Sequence, residues 1–183
     1  MKLNKSVSFI LFILFSILIF GTNYGQVYGK TDVTPSFEEL FTEGGYKTVE
    51  GALTEFEQHF KQELNLPLRI PPLKFSHQFG RFHNLDDDIN DYFEVKFISD
   101  QIPENHYKIT VRPIEHKIEF SDMYGIKVFK LKNGNDALYI EPDFVFKMLA
   151  FESNQWQYVL YVDKRVDKVT PEILIQIANS IDY

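Results

Sequence analysis

The sequence predicts an α+β fold: one antiparallel, curved sheet of about six to eight strands with an N-terminal and a C-terminal helix packed on it. Three observations carry this. From residue 74 to residue 162, short runs of alternating apolar and polar residues recur between turn residues. Helical spacing stands before and after that region. Aromatic residues make up 16% of the chain, 18 of them Phe and 10 Tyr, which favours strands and supplies apolar area for a core.

The chain opens with a targeting segment, residues 1–29. Lys2 and Lys5 form a positive start, and Phe9 to Phe20 is apolar except for Ser16. Val27-Tyr28-Gly29 suits a cleavage site, so Lys30 would begin a single extracytoplasmic domain of residues 30–183. The rival reading is an uncleaved anchor. Val7 to Phe20 would span only about 21 Å as a helix, short of a hydrocarbon core of about 30 Å. The uncharged stretch from Ser6 to Gly29 is long enough to cross. In both readings the charge bias places the remainder outside the cytoplasm.

Ser36-x-x-Glu39 is a capping-box pattern that starts a short helix to Phe41, ended by Gly44-Gly45. Thr48 to Leu64 is the main N-terminal helix. Val49, Ala52, Leu53, Phe56, Phe60 and Leu64 share one side, and Glu57 and Lys61 make an i,i+4 pair on the other. Leu66 to Leu73 holds Pro67, Pro71 and Pro72 and reads as an extended connector.

Strand signals follow at Lys74–Phe82, Tyr92–Ile98, His106–Arg112 and Ile114–Phe120. In the second, Phe93, Val95 and Phe97 point inward and Glu94 and Lys96 outward. In the third, Tyr107, Ile109 and Val111 alternate with Lys108, Thr110 and Arg112. Ile126–Leu131 and Ala137–Ile140 form a hairpin around Asn133-Gly134, a pair that supplies the positive φ angles of a tight turn.

The clearest pattern closes the chain. Phe144 to Phe151 is apolar on both strand faces, with Lys147 its only charge, as expected of a strand covered on both sides. A polar connection, Glu152 to Gln155, leads into Trp156–Val162. Thr170-Pro171-Glu172 then starts a helix on which Ile173, Leu174, Ile177 and Ile181 share a face. This unit, with Trp156-Gln157-Tyr158, the Thr-Pro-Glu start and the Ile177-Ala178-Asn179-Ser180-Ile181 ending, resembles a domain family of unknown function. That family occurs in exported proteins and in anti-sigma-factor-like extracytoplasmic regions of Gram-positive, spore-forming bacteria. The resemblance covers about residues 130–183 and implies a location and a fold, with no catalytic residue to transfer.

The chain has 19 Lys and Arg against 26 Asp and Glu, a formal charge of −7, which becomes −9 without Lys2 and Lys5. That balance gives no steering toward nucleic acid or anionic membranes. Membrane contact is expected only through an uncleaved N-terminal segment. The absence of cysteine excludes disulfides, thiolate catalysis and a lipidated cysteine anchor. No G-x-S-x-G elbow, phosphate-cradling glycine loop or helical zinc motif is present.

Four features could carry chemistry, each with a plainer alternative. His77 and His83 with Asp86-Asp87-Asp88 and Asp91 could ligate a metal, or form a polar strand edge and an acidic turn. Asp86, Asp88 and Asn90 match the first three ligands of a calcium loop, but Asp91 and Phe97 stand where a Gly and a bidentate acid belong. Glu115 and Glu119 could be a hydrolytic carboxylate pair, or an exposed charged face around Lys117. Phe144, Phe146, Trp156, Tyr158 and Tyr161 could line a pocket for an apolar ligand, or belong to an ordinary aromatic core. His59 falls on a helix's polar side, and His116 on a largely apolar strand face, where a core role is expected.

These features call for no cofactor. They point to an exported, non-enzymatic domain that binds a protein or another component of the cell envelope. The alternatives are a carrier or sensor of a lipid-like ligand and a carboxylate-dependent hydrolase.

Overall fold

The computed structural model describes residues 35–85, 90–120, 125–142 and 145–181. Residues 1–29, expected to be a targeting segment, and Asp86, Asp87, Asp88 and Phe144 therefore lie outside the described residues. Ser36–Tyr183 forms one compact unit. Its centre is an antiparallel sheet of seven strands in the order β1-β2-β3-β7-β6-β5-β4. The strands are β1 (His77–His83), β2 (Tyr92–Ile98), β3 (His106–Pro113), β4 (Lys127–Lys130), β5 (Asp136–Ile140), β6 (Phe146–Ser153) and β7 (Trp156–Asp163). Two meanders thus meet where β3 pairs with β7, and the last strand of the chain lies in the middle of the sheet.

Helix α1 (Phe37–Glu43) begins with the expected capping box: Ser36 Oγ accepts from Glu39 N, and Glu39 accepts from Ser36 N. Helix α2 (Val49–Phe60) is capped by Thr48, whose side chain accepts from Gly51 N. It is shorter than its spacing predicted. Lys61 turns left-handed at φ 53° and ends the helix, and Glu57 accepts from Leu64 N rather than pairing with Lys61. Helix α3 (Pro171–Ala178) starts at Pro171 as expected, though Thr170 makes no side-chain cap bond.

One sheet face carries the main core. Phe93, Val95, Tyr107, Ile109, Val111, Leu149, Phe151, Trp156, Tyr158, Leu160 and Val162 are buried there against Ala52 and Phe56 of α2 and Leu174 and Ile177 of α3. The helix α2 approaches β1 at Gly80, where a Cβ would stand 2.8 Å from Val49 Cα. The proline connector crosses this side. Trp156 Nε1 donates to Glu63 O, Tyr158 donates to Asn65 O, and Leu68 N and Arg69 N bond Ser180.

Lys147 faces the same buried side. Its Nζ donates to Val166 O at 2.7 Å and Val169 O at 3.1 Å, pinning the loop before α3. The cation is tolerated in the strand because backbone carbonyls replace its water.

The expected strand Ile114–Phe120 is not one. Ile114–His116 is a 3-10 turn, and the chain then crosses the opposite sheet face. The Gln157 side chain substitutes for a strand ladder, donating to Ile118 O and accepting from Ile118 N. Phe120 and Ile126 pack on Ile140, Ala150 and Val159. The period of two arose because an extended chain lying flat on a sheet alternates faces just as a strand does.

The two hairpins expected in the second meander formed, with different turns. Only Gly134, at φ 87°, has positive φ in the first, where Gly134 N also bonds Leu131 O. In the second, Ser153 pairs with Trp156, so the loop is Asn154-Gln155 alone, with Asn154 at φ 54°.

Candidate ligand-binding face

Strand alternation brings the outward residues of β1, β2, β3 and β7 together on the sheet face opposite the two long helices. The registers set Arg81 beside Glu94, Phe79 beside Lys96, and Glu94 beside Thr110. Lys108 lies beside Tyr161, and Arg112 beside Gln157. The chain reaches this face again at its start. Phe41 of α1 stacks on Phe79 at 4.5 Å, and Tyr46 follows across the β1 edge. Lys47 then pairs with Gly80 through both backbone bonds and leads into α2 on the other face.

Glu94 is the centre of this strip. It is 3% exposed, and three groups converge on it besides His83, whose Nε2 lies 3.9 Å from Oε1. Tyr46 donates to Oε1 at 2.5 Å, Lys96 Nζ lies 3.2 Å from Oε1, and Lys108 Nζ lies 3.4 Å from Oε2. Burial alone would push this carboxyl up. His83, Tyr46, Lys108 and Lys96 outweigh it and hold Glu94 well below the usual carboxylate range. Lys96 also bonds the Tyr46 hydroxyl. Burial, and then Glu94, pushes the Tyr46 phenol upward, so it remains a donor.

Around that centre, cations lie on tyrosine rings. Lys96 stands 4.4 Å from the Tyr46 ring, Lys108 4.4 Å from Tyr161, and Arg112 5.3 Å from Tyr92. His83 stacks on Tyr92 with centroids 4.1 Å apart and planes 12° from parallel. Arg81 Nη1 donates to Gly44 O. His106, at the far end, is held below the usual histidine range by burial and by Lys96 and Lys108. Four permanent cations, Arg81, Lys96, Lys108 and Arg112, therefore share a strip with Glu94, while Asp163 at its margin is engaged by Arg165. The arrangement can hold anions.

The residues singled out in the sequence are dispersed. His77 and His83 stand at opposite ends of β1, about 20 Å apart at strand rise. His77 Nε2 meets Glu38 at 2.8 Å, and Asp91 meets His59 at 3.2 Å. Asn90 is an exposed turn residue before β2. Among the described residues no group of three acidic or histidine side chains converges as metal ligands. Glu115 lies in the 3-10 turn rather than a strand, His116 with it, and Glu119 is exposed beside Lys117.

Of the aromatic set, Trp156 and Tyr158 lie in the core under the helices, whereas Phe146 and Tyr161 are on the opposite face, 6.3 Å apart. The sheet separates the two pairs. A surface cleft of about 580 Å³ lies between Leu73, Ile102 and Val166, and another of about 360 Å³ between Leu68, Lys132 and Asn179. None of these four aromatics lines either cleft.

Sequence reasoning missed the strip because its members come from four separate strands and from Tyr46. The outward sets Glu94/Lys96 and Lys108/Thr110/Arg112 were visible, and laying them side by side with Arg81 and His83 would have exposed the excess of cations. Among the described residues no helix is long and apolar enough to cross a membrane. Comparison with protein families, with curated proteins and with solved structures gives no match for this chain.

Proposed function

We propose that this chain is an exported, non-catalytic binding domain of the cell envelope, and that it binds an anionic envelope component through the strip on its sheet. The observation that supports this most is the segregation of Arg81, Lys96, Lys108 and Arg112 onto one face of a chain with seven more acids than bases. Steering depends on the local field and not on net charge, so an acidic protein with a cationic strip attracts an anion to that strip alone. Tyr46, Tyr92 and Tyr161 add amphipathic contact surface at low entropic cost. The N-terminal apolar segment and the resemblance to an extracytoplasmic family support the location.

Native mass spectrometry of the full chain recovered from its own cells, with membrane and medium measured separately, tests the reading. The expected result is an acidic component retained at low salt and released as salt screens the strip. A mass of residues 30–183 in the medium would support cleavage after Gly29. Recovery of bare protein from both fractions at low salt would refute binding. Turnover of an envelope polymer that disappears with Glu115→Gln or Glu119→Gln would refute the non-catalytic assignment.

A further inference from the structure

We propose that the Arg112 guanidinium and the Tyr92 hydroxyl together bind one oxyanion group, a phosphate or a carboxylate, with His83 as the positioning residue behind the Tyr92 ring. The inference rests on the strip being the binding surface and names the point on it where the ligand's charge is held.

Arg112 differs from every other cation of the strip. Arg81 donates to Gly44 O, and Lys96 and Lys108 are paired with Glu94. Arg112 has neither a hydrogen bond nor an ion pair among the described residues, and its Nε is buried without an acceptor. Its close charge contact is the face of Tyr92. Its Nη groups also lack an acceptor among the described residues but are not sealed, so they are the donors left open to a ligand. Glu94 cannot serve, since Tyr46, Lys96 and Lys108 already converge on its two oxygens.

The geometry around Arg112 favours an external oxyanion. The next strand in register sets Tyr92 beside it, because Phe93 pairs with Val111. Tyr92 is pushed upward by burial and by Glu94, so its hydroxyl keeps its proton and can donate. His83 lies flat against the ring and fixes its plane. A guanidinium presents two parallel N–H donors that match a carboxylate or phosphate edge, which an ammonium cannot do. On the side away from Tyr92, Gln157 is committed to Ile118 and offers no competing anion.

The test uses the full chain in detergent micelles, titrated with inorganic phosphate and separately with succinate. Affinity is read by calorimetry, and the Arg112 Nε–H signal is followed by nuclear magnetic resonance. The expected result is a shift of that signal on saturation with at least one probe. Arg112→Gln should weaken binding about tenfold or more, the loss of one charge-assisted bidentate contact. Arg112→Lys, which keeps the charge and loses the fork, should recover little of it. Tyr92→Phe should weaken binding about three- to fivefold. Lys168→Gln, an exposed charge change off the sheet, should leave it within twofold. Folding of each variant is checked from its amide spectrum.

A stationary Nε–H signal, unchanged affinity in both Arg112 variants, or no binding of either probe by the wild type would each overturn the cradle. If the cradle fails while protein from cells still carries a salt-labile acidic component, the strip remains the binding surface. If the protein carries none, both readings fall.

Discussion

Replacing Gly80 by alanine probes how the N-terminal helix is seated. The added Cβ would lie 2.8 Å from Val49 Cα, 3.0 Å from Thr48 O and 3.0 Å from Ala52 Cβ. Two of these are backbone atoms of the α2 start, so no side-chain rotation relieves them. The helix end must retreat by about 0.8 Å to restore ordinary carbon contacts near 3.6 Å. Gly80 also exchanges both backbone bonds with Lys47, at 2.8 and 2.9 Å, and the retreat strains the segment that makes them. Overpacking of this kind costs 1–3 kcal/mol, and weakening the bridge adds up to about 1 kcal/mol. We expect a loss of about 3 kcal/mol, or a fall in Tm of about 6–12 °C for a domain of this size. Urea unfolding should show a lower midpoint with an unchanged slope. Gly51→Ala is the internal control, because its Cβ meets chiefly the Thr48 side-chain oxygen, at 3.1 Å. It should stabilise the helix by about 0.5 kcal/mol, the propensity gain less the adjustment of the cap. A Gly80→Ala protein that melts within 1 °C of wild type would refute the close seating of α2 on β1.

Three further outcomes follow from the buried polar groups. Glu94→Gln should cost about 3 kcal/mol at pH 7, the lower end for breaking a buried pair, because Lys96 and Lys108 keep some water. Since the folded state depresses the Glu94 pKa, its contribution is complete above the unfolded value of about 4.3 and declines as pH falls below it. Urea titrations at pH 7 and pH 3 should therefore show a smaller difference from wild type in acid, and an equal difference would contradict the assignment. Lys147→Met should cost about 2 kcal/mol by leaving Val166 O and Val169 O without their donor, with faster amide exchange confined to residues 164–170. Gln157→Leu should release Ile118 at both backbone groups, and exchange protection lost at residues 116–120 without loss in β7 would confirm it.

Much of the architecture was legible because it depends on short-range periodicity. Phe93/Val95/Phe97 and Tyr107/Ile109/Val111 alternate strictly, and both became strand faces on the core. Ser36 with Glu39, and Thr48, marked helix starts that hold in three dimensions, since capping involves residues three apart. The same locality explains the errors. Ile114–Phe120 alternates as a strand does, yet has no strand neighbour and lies on the sheet instead. Lys61 ended α2 by a backbone conformation that its side chain does not announce. The five aromatics chosen as one pocket were joined by composition, and the parity of their positions already put Trp156 and Tyr158 on the opposite face from Tyr161.

By itself, then, the sequence determined the class of fold, the inward and outward parity of β2, β3 and β7, and the starts of its helices. All of these follow from contacts within a few residues. The tertiary structure alone decided that β7 enters between β3 and β6, that the first helix, residues 117–120 and Ile126 lie on the sheet face opposite the main core, and that Arg81, Glu94, Lys108 and Arg112 meet. Parity says which way each side chain points, but only the strand order says which neighbours it finds there. The cationic strip is a product of that order.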